Sequence, residues 1–328
     1  MNIIKKITAV LLIIAVFVSM CGCSAQPEKS SSDKSVYGET IDKTAAWLTD
    51  KIKEPEIGST GGEWLVIGLS RSGVKVPDGY FEKYYQKICD YTQQNNGVLD
   101  TKIYTEYSRV ILALTAIGKN PADVEGYNLL VPLADFEQTV YQGISGPAYA
   151  LLALDSAGYE IPENIADSTQ ATRQMYIDYI LSKEAETGGW AVFGSVGDVD
   201  MTAMVLLALA GYIDQPEVAQ AVERALEFIS RQQNDNGGFV TNGTESSETI
   251  SQVIMALAEL GISPEDARFV KNGNTLYKRL QEFMMSDGSF CHTFDAGKSN
   301  LMATEQAFCA VVAINKMAEG KSSLYKMS

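Results

Sequence analysis

The sequence is poor in the residues on which most familiar hydrolase and metal sites are built. Of its 328 residues, one is histidine and five are cysteine. A catalytic triad, a multi-histidine metal site or a histidine proton relay would therefore depend on His292 alone, which we interpret as a hydrogen-bonded loop residue. Three of the cysteines lie after residue 23, at Cys89, Cys291 and Cys309. Their spacing is irregular and predicts neither a disulfide framework nor a zinc site. Three buried thiols are expected, and a bridge from Cys89 to Cys291 or Cys309 is the alternative.

Positive charge is also scarce. The chain has 26 Lys and Arg against 41 Asp and Glu, which gives a formal net charge of −15. Because an acidic surface repels phosphate backbones, no nucleic-acid partner is expected. The hydrophobic share of 46% and the charged share of 20% are ordinary for globular proteins and exclude extensive disorder.

No apolar run is long enough for a comfortable membrane span of roughly 20 residues. Residues 7–20 form an apolar run of 14 after two lysines and lead into Cys21-Gly22-Cys23. This arrangement resembles a bacterial lipoprotein signal, with Cys23 as the lipidated residue because the small Gly22 precedes it. An ordinary secretory signal or an uncleaved anchor is the alternative. The protein is expected at the bacterial cell membrane, lipid-anchored on the extracytoplasmic face, with no other membrane contact.

An internal repeat dominates the rest of the chain. An amphipathic helical stripe ends in a glycine-aromatic turn at Trp190, again 49 positions later at Phe239, and 51 positions after that at Phe290. A weaker copy ends at Val98. The glycines of these turns supply the positive φ at which the chain reverses.

A second, nearly all-apolar helix follows each turn, and residues 64–69 fit the same slot in a first, degenerate unit. Alanines occupy one register in these helices, at positions 113, 153, 208, 256 and 310. A helix that is apolar all round must be buried, and an amphipathic partner can cover it. The pattern predicts an all-α fold of six helical hairpins, either closed into a ring around a central cavity or left as an open solenoid.

The helix that ends in Gln-rich residues and Gly-Gly-Phe or Gly-Gly-Trp resembles the prenyltransferase and squalene-cyclase (terpenoid cyclase) repeat. It is also similar to the cobalamin-carrier α-domain and, more distantly, to the complement thioester domain. The resemblance implies an α6/α6 toroid over residues 39–320, after a signal peptide at 1–22 and a polar tether at 23–38, and before a C-terminal tail at 321–328. It implies no single activity, because such toroids host cyclases, transferases and binders.

Asp198-Val199-Asp200-Met201-Thr202-Ala203 resembles the Asp-x-Asp-Asp-Thr-Ala signature of class II terpene cyclases. The resemblance implies Asp200 as proton donor and Asp198 as the neighbouring carboxylate that helps to keep it protonated. Met201 replaces the last acid of that signature, and such cyclases use a second helical domain that this length does not accommodate. N-capping of an inner helix by Asp198 or Asp200 is the simpler interpretation.

Polar residues are expected at the starts of the inner helices, where unpaired N–H groups ring the mouth of a toroid. The candidate cavity residues are Trp64, Glu63, Tyr107, Arg109, Thr202, Glu248, Gln252, Glu305 and Gln306. This mixed set suits a ligand with hydrogen-bonding groups. Protein prenyltransferases hold zinc with Asp, Cys and His at these starts, and the segment Leu301–Glu305 has no histidine, so no metal is expected.

The leading hypothesis is an extracytoplasmic lipoprotein whose toroid binds a ligand without catalysis. The ligand would be a small molecule, such as a corrinoid or an isoprenoid, or a cell-surface polymer. No cofactor is expected, so a bound corrinoid would be the ligand of the protein and not its cofactor. A partner protein could supply a second, ligand-clamping domain, as in the cobalamin carriers. The alternatives are a degenerate terpenoid-cyclase-like enzyme with Asp200 as general acid and a surface scaffold or adhesion protein.

Overall fold

Helices form almost all of the regular structure. A computed structural model describes residues 35–241 and 243–327, so the predicted signal peptide and Cys23 lie outside the described residues. The outer helices are α1 (Gly38–Lys51), α3 (Tyr80–Gln94), α5 (Phe136–Val140), α7 (Arg173–Leu181), α9 (Pro216–Gln232) and α11 (Leu276–Gln281). The inner helices are α2 (Trp64–Ser72), α4 (Thr105–Ala116), α6 (Ser145–Asp155), α8 (Val199–Leu209), α10 (Ser247–Glu259) and α12 (Leu301–Ala318). A small antiparallel hairpin joins β1 (Val240–Thr241) to β2 (Thr244–Glu245).

The six inner helices close into a ring. Each contacts the next along the chain, and the last, α12, packs against both α10 and α2. This closure confirms the toroid and excludes the open solenoid. The outer layer is less regular, because α5 has five residues and α11 has six. The number of regular hairpins therefore stays a prediction.

Small residues let the inner helices approach one another. The five register alanines are all buried, and Gly68 stands in the same position of α2. A Cβ atom built on Gly68 would lie 2.9 Å from Cδ1 of Phe308 and 3.0 Å from Sγ of Cys309, both in α12. The ring thus closes at a point where only glycine leaves enough room.

Side-chain caps start three neighbouring inner helices. Asp198 accepts from the backbone N–H of Met201 (2.7 Å) at α8, and Ser246 caps α10 in the same way. Asn300 accepts from the N–H of Ala303 (3.0 Å) at α12. Such caps satisfy donors that the first turn leaves unpaired. The capping interpretation of Asp198 is confirmed.

The edges of the described region pack against the ring. Tyr37, within the predicted tether, lies edge-on against Tyr277 with ring centroids 4.8 Å apart.

The three cysteines at positions 89, 291 and 309 are free and buried, as expected. Within residues 35–241 and 243–327, no helix is both long and apolar enough to cross a bilayer.

Candidate functional site

Two sets of residues are defined by fixed offsets from the register residue of each inner helix. The residues four positions before it form what we term the constriction layer: Trp64, Arg109, Tyr149, Met204, Gln252 and Gln306. The residues one position before it form the apolar layer: Ile67, Leu112, Leu152, Leu207, Met255 and Cys309. At about 1.5 Å of rise per residue, the two layers are about 4.5 Å apart along the ring axis.

Three cavities are lined by residues of these layers. A mouth cavity of about 1090 Å³ opens at the N-terminal ends of the inner helices, and Tyr149, Gln252 and Gln306 line its floor. The same three side chains also line a central cavity of only about 20 Å³. A third cavity of about 300 Å³ lies at the C-terminal ends and shares Leu152 and Leu207 with the central one.

Direct contacts close the constriction layer. Nε2 of Gln252 donates to Oε1 of Gln306 at 3.2 Å, which joins α10 to α12. The rings of Trp64 and Tyr149 lie 5.9 Å apart, between α2 and α6. A ligand that enters the mouth cavity therefore meets the amides of Gln252 and Gln306 and the ring of Tyr149 at its floor.

Carboxylates dominate the charge of the mouth cavity. Asp198, Asp200 and Glu248 line it, at the starts of α8 and α10. Burial raises the pKa of the Asp200 carboxyl, and the charges of Asp198 and Glu248 raise it further against a hydrogen bond from Thr249. Asp200 is therefore more readily protonated than an exposed aspartate.

His292 is the one basic side chain among the residues that line the mouth cavity. Its Nδ1 lies 2.9 Å from both carboxylate oxygens of Glu248. The backbone N–H of Ser247 donates to the carbonyl of His292 at 3.1 Å, which fixes this loop against the start of α10. The carboxylates thus outnumber the basic groups, and the cavity favours neutral or cationic ligands.

An apolar rim surrounds these acids. Phe193 is 90% exposed, and its neighbours Val192 and Val196 in the loop 191–197 are also exposed. Val240 and Met302 add exposed apolar surface from β1 and α12. All five line the mouth cavity. Clustered exposed apolar residues around a concavity are typical of binding sites.

Two predicted cavity acids lie instead beneath the turn 58–63. Glu63 accepts from the N–H of Gly58 (2.9 Å), and Glu305 accepts from the N–H of Gly61 (2.8 Å). Nε of Arg109 lies 3.6 Å from Oε2 of Glu63. Burial raises the pKa of Glu63 and raises that of Glu305 to about 8. These groups hold the connection from α1 to α2 and do not line the mouth cavity.

The structure places the hydroxyls of two further predicted cavity residues against backbone. The hydroxyl of Tyr107, which is 3% exposed, accepts from the N–H of Leu99 (3.0 Å) and donates to the carbonyl of Asp100 (3.1 Å). The hydroxyl of Thr202 accepts from the N–H of Trp190 at 2.9 Å. Both hydroxyls bind backbone that precedes their own helix, so neither is available to a ligand.

The structure brings the other predicted residues together around the ring axis. Asp198, Asp200, Glu248, Gln252 and Gln306 line the mouth cavity, and Trp64 lines the central one. Sequence reasoning missed Tyr149 and Met204, although counting four positions back from Ala153 and Ala208 gives both. It also treated His292 as an isolated loop residue, because its contact with Glu248 spans 44 positions.

Among residues 35–241 and 243–327, no group of three or more His, Cys, Asp or Glu side chains is placed to hold a metal ion. The side chains that line the mouth cavity offer hydrogen bonds, apolar contact and carboxyl groups.

Comparison with known proteins supports the fold class. Residues 212–326 match the family model of the prenyltransferase alpha-alpha toroid domain. The type II terpene cyclase MstE from Scytonema is 14% identical, with a TM-score of 0.54 over 86% of this chain and 99% of that one. A polysaccharide lyase is 10% identical, with a TM-score of 0.56 over 87% and 98%. A protein from Actinoplanes is 12% identical, with a TM-score of 0.52 over 86% and 99%.

The chain thus has the fold of an α/α toroid, and its C-terminal part matches the family model. Its similarity to solved structures extends over most of the described ring, and at these identities it concerns the fold alone. No curated protein matches the sequence.

Proposed function

We propose that this chain is a lipoprotein, anchored through Cys23 on the extracytoplasmic face of the membrane, that binds a ligand at the N-terminal mouth of its toroid without catalysis. The observation that carries the proposal is the contrast between the mouth cavity, of about 1090 Å³, and the central cavity, of about 20 Å³. Ligand pockets usually measure about 300–1,000 Å³, whereas about 10–15 Å³ holds one water. Ligand binding is therefore favoured at the mouth.

The ligand class follows from the surface of the mouth cavity. The exposed ring of Phe193 and its apolar neighbours offer contact to an apolar body. Asp200 and Glu248 favour a neutral or cationic polar end, and the amides of Gln252 and Gln306 offer hydrogen bonds. Corrinoids, isoprenoids with a polar head and surface glycans all remain candidates under this description.

Native mass spectrometry of the protein purified gently from its own host tests the proposal first. A bound small molecule or glycan of stoichiometric mass is the expected result. Its release by Phe193→Ser, but not by Ile165→Ser at a second exposed apolar position, would locate it at the mouth. Retention of the ligand by the Phe193 variant would contradict the mouth as its site.

A pair of synthetic probes tests the charge preference of the same site. Decyltrimethylammonium and decyl maltoside share an alkyl chain and differ in head group. Asp200→Asn should lower the affinity for the cationic probe several-fold, because it removes one carboxylate charge from the mouth. The affinity for the neutral probe should be unchanged. Asp90→Asn, on the outer helix α3, is the matched control. Equal losses for both probes would contradict the assigned role of the charge.

Acid catalysis by Asp200 is a second candidate, and the raised pKa of this carboxyl favours it. Against it stands Met201, which replaces the last acid of the cyclase signature. Incubation with geranylgeranyl dihydroxybenzoate, the substrate bound in an MstE structure, tests this candidate by product mass spectrometry. Turnover that Asp200→Asn abolishes would replace the non-catalytic proposal, and we expect none.

A further inference from the structure

The segment 321–327 turns back into the C-terminal end of the ring. It follows α12 after Gly320, and two of its side chains, Leu324 and Tyr325, are 1% and 5% exposed. Such burial is unusual for a short polar segment outside the repeats, so the position of these two side chains calls for a physical explanation.

Three residues of the ring hold this segment, and each lies three positions after a register residue. Arg71 donates to the carbonyls of Leu324 (3.1 Å), Ser323 (2.8 Å) and Lys326 (3.0 Å). The hydroxyl of Ser323 donates to Oε1 of Glu259 at 2.6 Å.

The third contact comes from the end of α6. The N–H of Met327 donates to the carbonyl of Ser156 at 2.6 Å. The segment is thus bound by groups at the ends of α2, α6 and α10, which stand around the ring axis. These contacts are polar and mostly part-buried, and because each one replaces a hydrogen bond to water, its net stabilisation is modest.

Tyr325 occupies the ring axis itself. Its hydroxyl lies 3.6 Å from Sδ of Met255 in the apolar layer. The side chain lines both the central cavity and the C-terminal cavity, together with Leu152 and Leu207. The central cavity is therefore bounded by the constriction layer on one side and by Tyr325 on the other.

We propose that residues 321–327 are a displaceable plug in an axial channel, in which Tyr325 occupies the space that a slender apolar group would take. Four residues of the apolar layer line this space, and Tyr325 of the plug lies between it and the C-terminal cavity with Leu152 and Leu207. An apolar group that occupies this space competes with Tyr325. Its binding is then coupled to release of the segment on the opposite face of the ring.

Benzene is a suitable probe, because an apolar protein cavity of about 150 Å³ binds it. In the full chain, Tyr325→Ala should gain a benzene-dependent rise in melting temperature that the wild type lacks. Tyr325→Phe keeps the ring and should behave as wild type, as should Tyr141→Ala at an exposed position. A folded Tyr325→Ala protein that shows no such rise would overturn the proposal.

Amide hydrogen exchange tests the displacement without removing a core side chain. Arg71→Met should speed exchange at residues 324–327 at least tenfold, and benzene should speed it further. Arg231→Met, on the outer helix α9, should leave these amides as protected as in the wild type. Equal protection of residues 324–327 in the Arg71→Met and wild-type proteins, with and without benzene, would show that the segment is a fixed part of the fold.

Discussion

Glu63 and Glu305 are buried carboxyls whose main contacts are backbone N–H groups of one turn. A neutral side chain could accept the same hydrogen bonds. The charged form is disfavoured by burial, and one oxygen of each carboxylate lacks a hydrogen-bond partner. For Glu305, which is 1% exposed, the result is a pKa of about 8 in the folded state against an ordinary value of 4.5.

This shift predicts the pH dependence of stability. The folded state holds the proton of Glu305 more tightly than the unfolded chain, so the free energy of unfolding should fall as pH rises from about 4.5 to about 8. Glu305→Gln should remove this contribution. The variant should be more stable than wild type at pH 9 by up to roughly 5 kcal/mol and nearly equal to it at pH 4, because each unit of the pKa shift corresponds to about 1.4 kcal/mol.

Urea unfolding of both proteins at several pH values measures this difference. Glu82→Gln, at an exposed position of α3, is the matched control and should follow the wild-type curve. Parallel wild-type and Glu305→Gln curves would mean that the carboxyl is solvated in the folded protein.

At the residue scale, the sequence predicts the role of a side chain that bonds within its own helix. It predicts poorly the role of a side chain that contacts other parts of the ring. The cap at Asp198 follows from its place before an apolar helix. Tyr107 and Thr202 were predicted as cavity residues, because a hydroxyl near a helix start gives no sign of the backbone it will bind. Tyr149 was missed because the repeats were aligned on their alanines and the residues four positions before each alanine were not compared.

At the element scale, the contact between α2 and α12 depends on Gly68. Glycine in a helix usually costs about 0.5–1 kcal/mol relative to alanine. Here the Cβ of an alanine would lie 2.9 Å from a ring carbon of Phe308, so the usual gain is opposed by crowding.

Valine at this position should therefore be destabilising. Gly68→Val is expected to lower the free energy of unfolding by about 1–3 kcal/mol through overpacking. Gly211→Ala, where no atom lies within 4 Å of the added Cβ, should be neutral or mildly stabilising. Denaturant midpoints compare the two variants, and a Gly68→Val protein as stable as wild type would contradict close packing of α2 on α12.

At the scale of the whole molecule, the formal net charge of −15 acts on any charged ligand that approaches the mouth. The screening length falls from about 30 Å at 0.01 M salt to about 8 Å at 0.15 M. The affinity of decyltrimethylammonium should therefore fall several-fold over this range, and that of decyl maltoside should not. Calorimetric titration at both salt concentrations checks this, and equal salt dependence for the two probes would contradict it.

The all-α ring was predictable from the sequence because its information is repeated. The turn aromatics and the inner-helix alanines recur in successive units and indicate the same packing each time. The pattern therefore remains visible although one unit is degenerate. The place of Tyr325 is specified once, by Arg71 and Glu259, which lie 254 and 66 positions earlier in the chain. No local pattern around residue 325 indicates burial, so the sequence left this segment as a tail.

The closure of α12 on α2 also sets a limit on how such a protein can change over generations. An open stack of repeats can gain or lose one unit at its end, because the remaining interfaces are unaffected. In a closed ring, deletion or duplication of one helical pair alters every angle between neighbours at once. Variation should therefore accumulate in the lengths of the connecting loops, such as residues 191–197 at the mouth, while the number of inner helices stays constant among descendants.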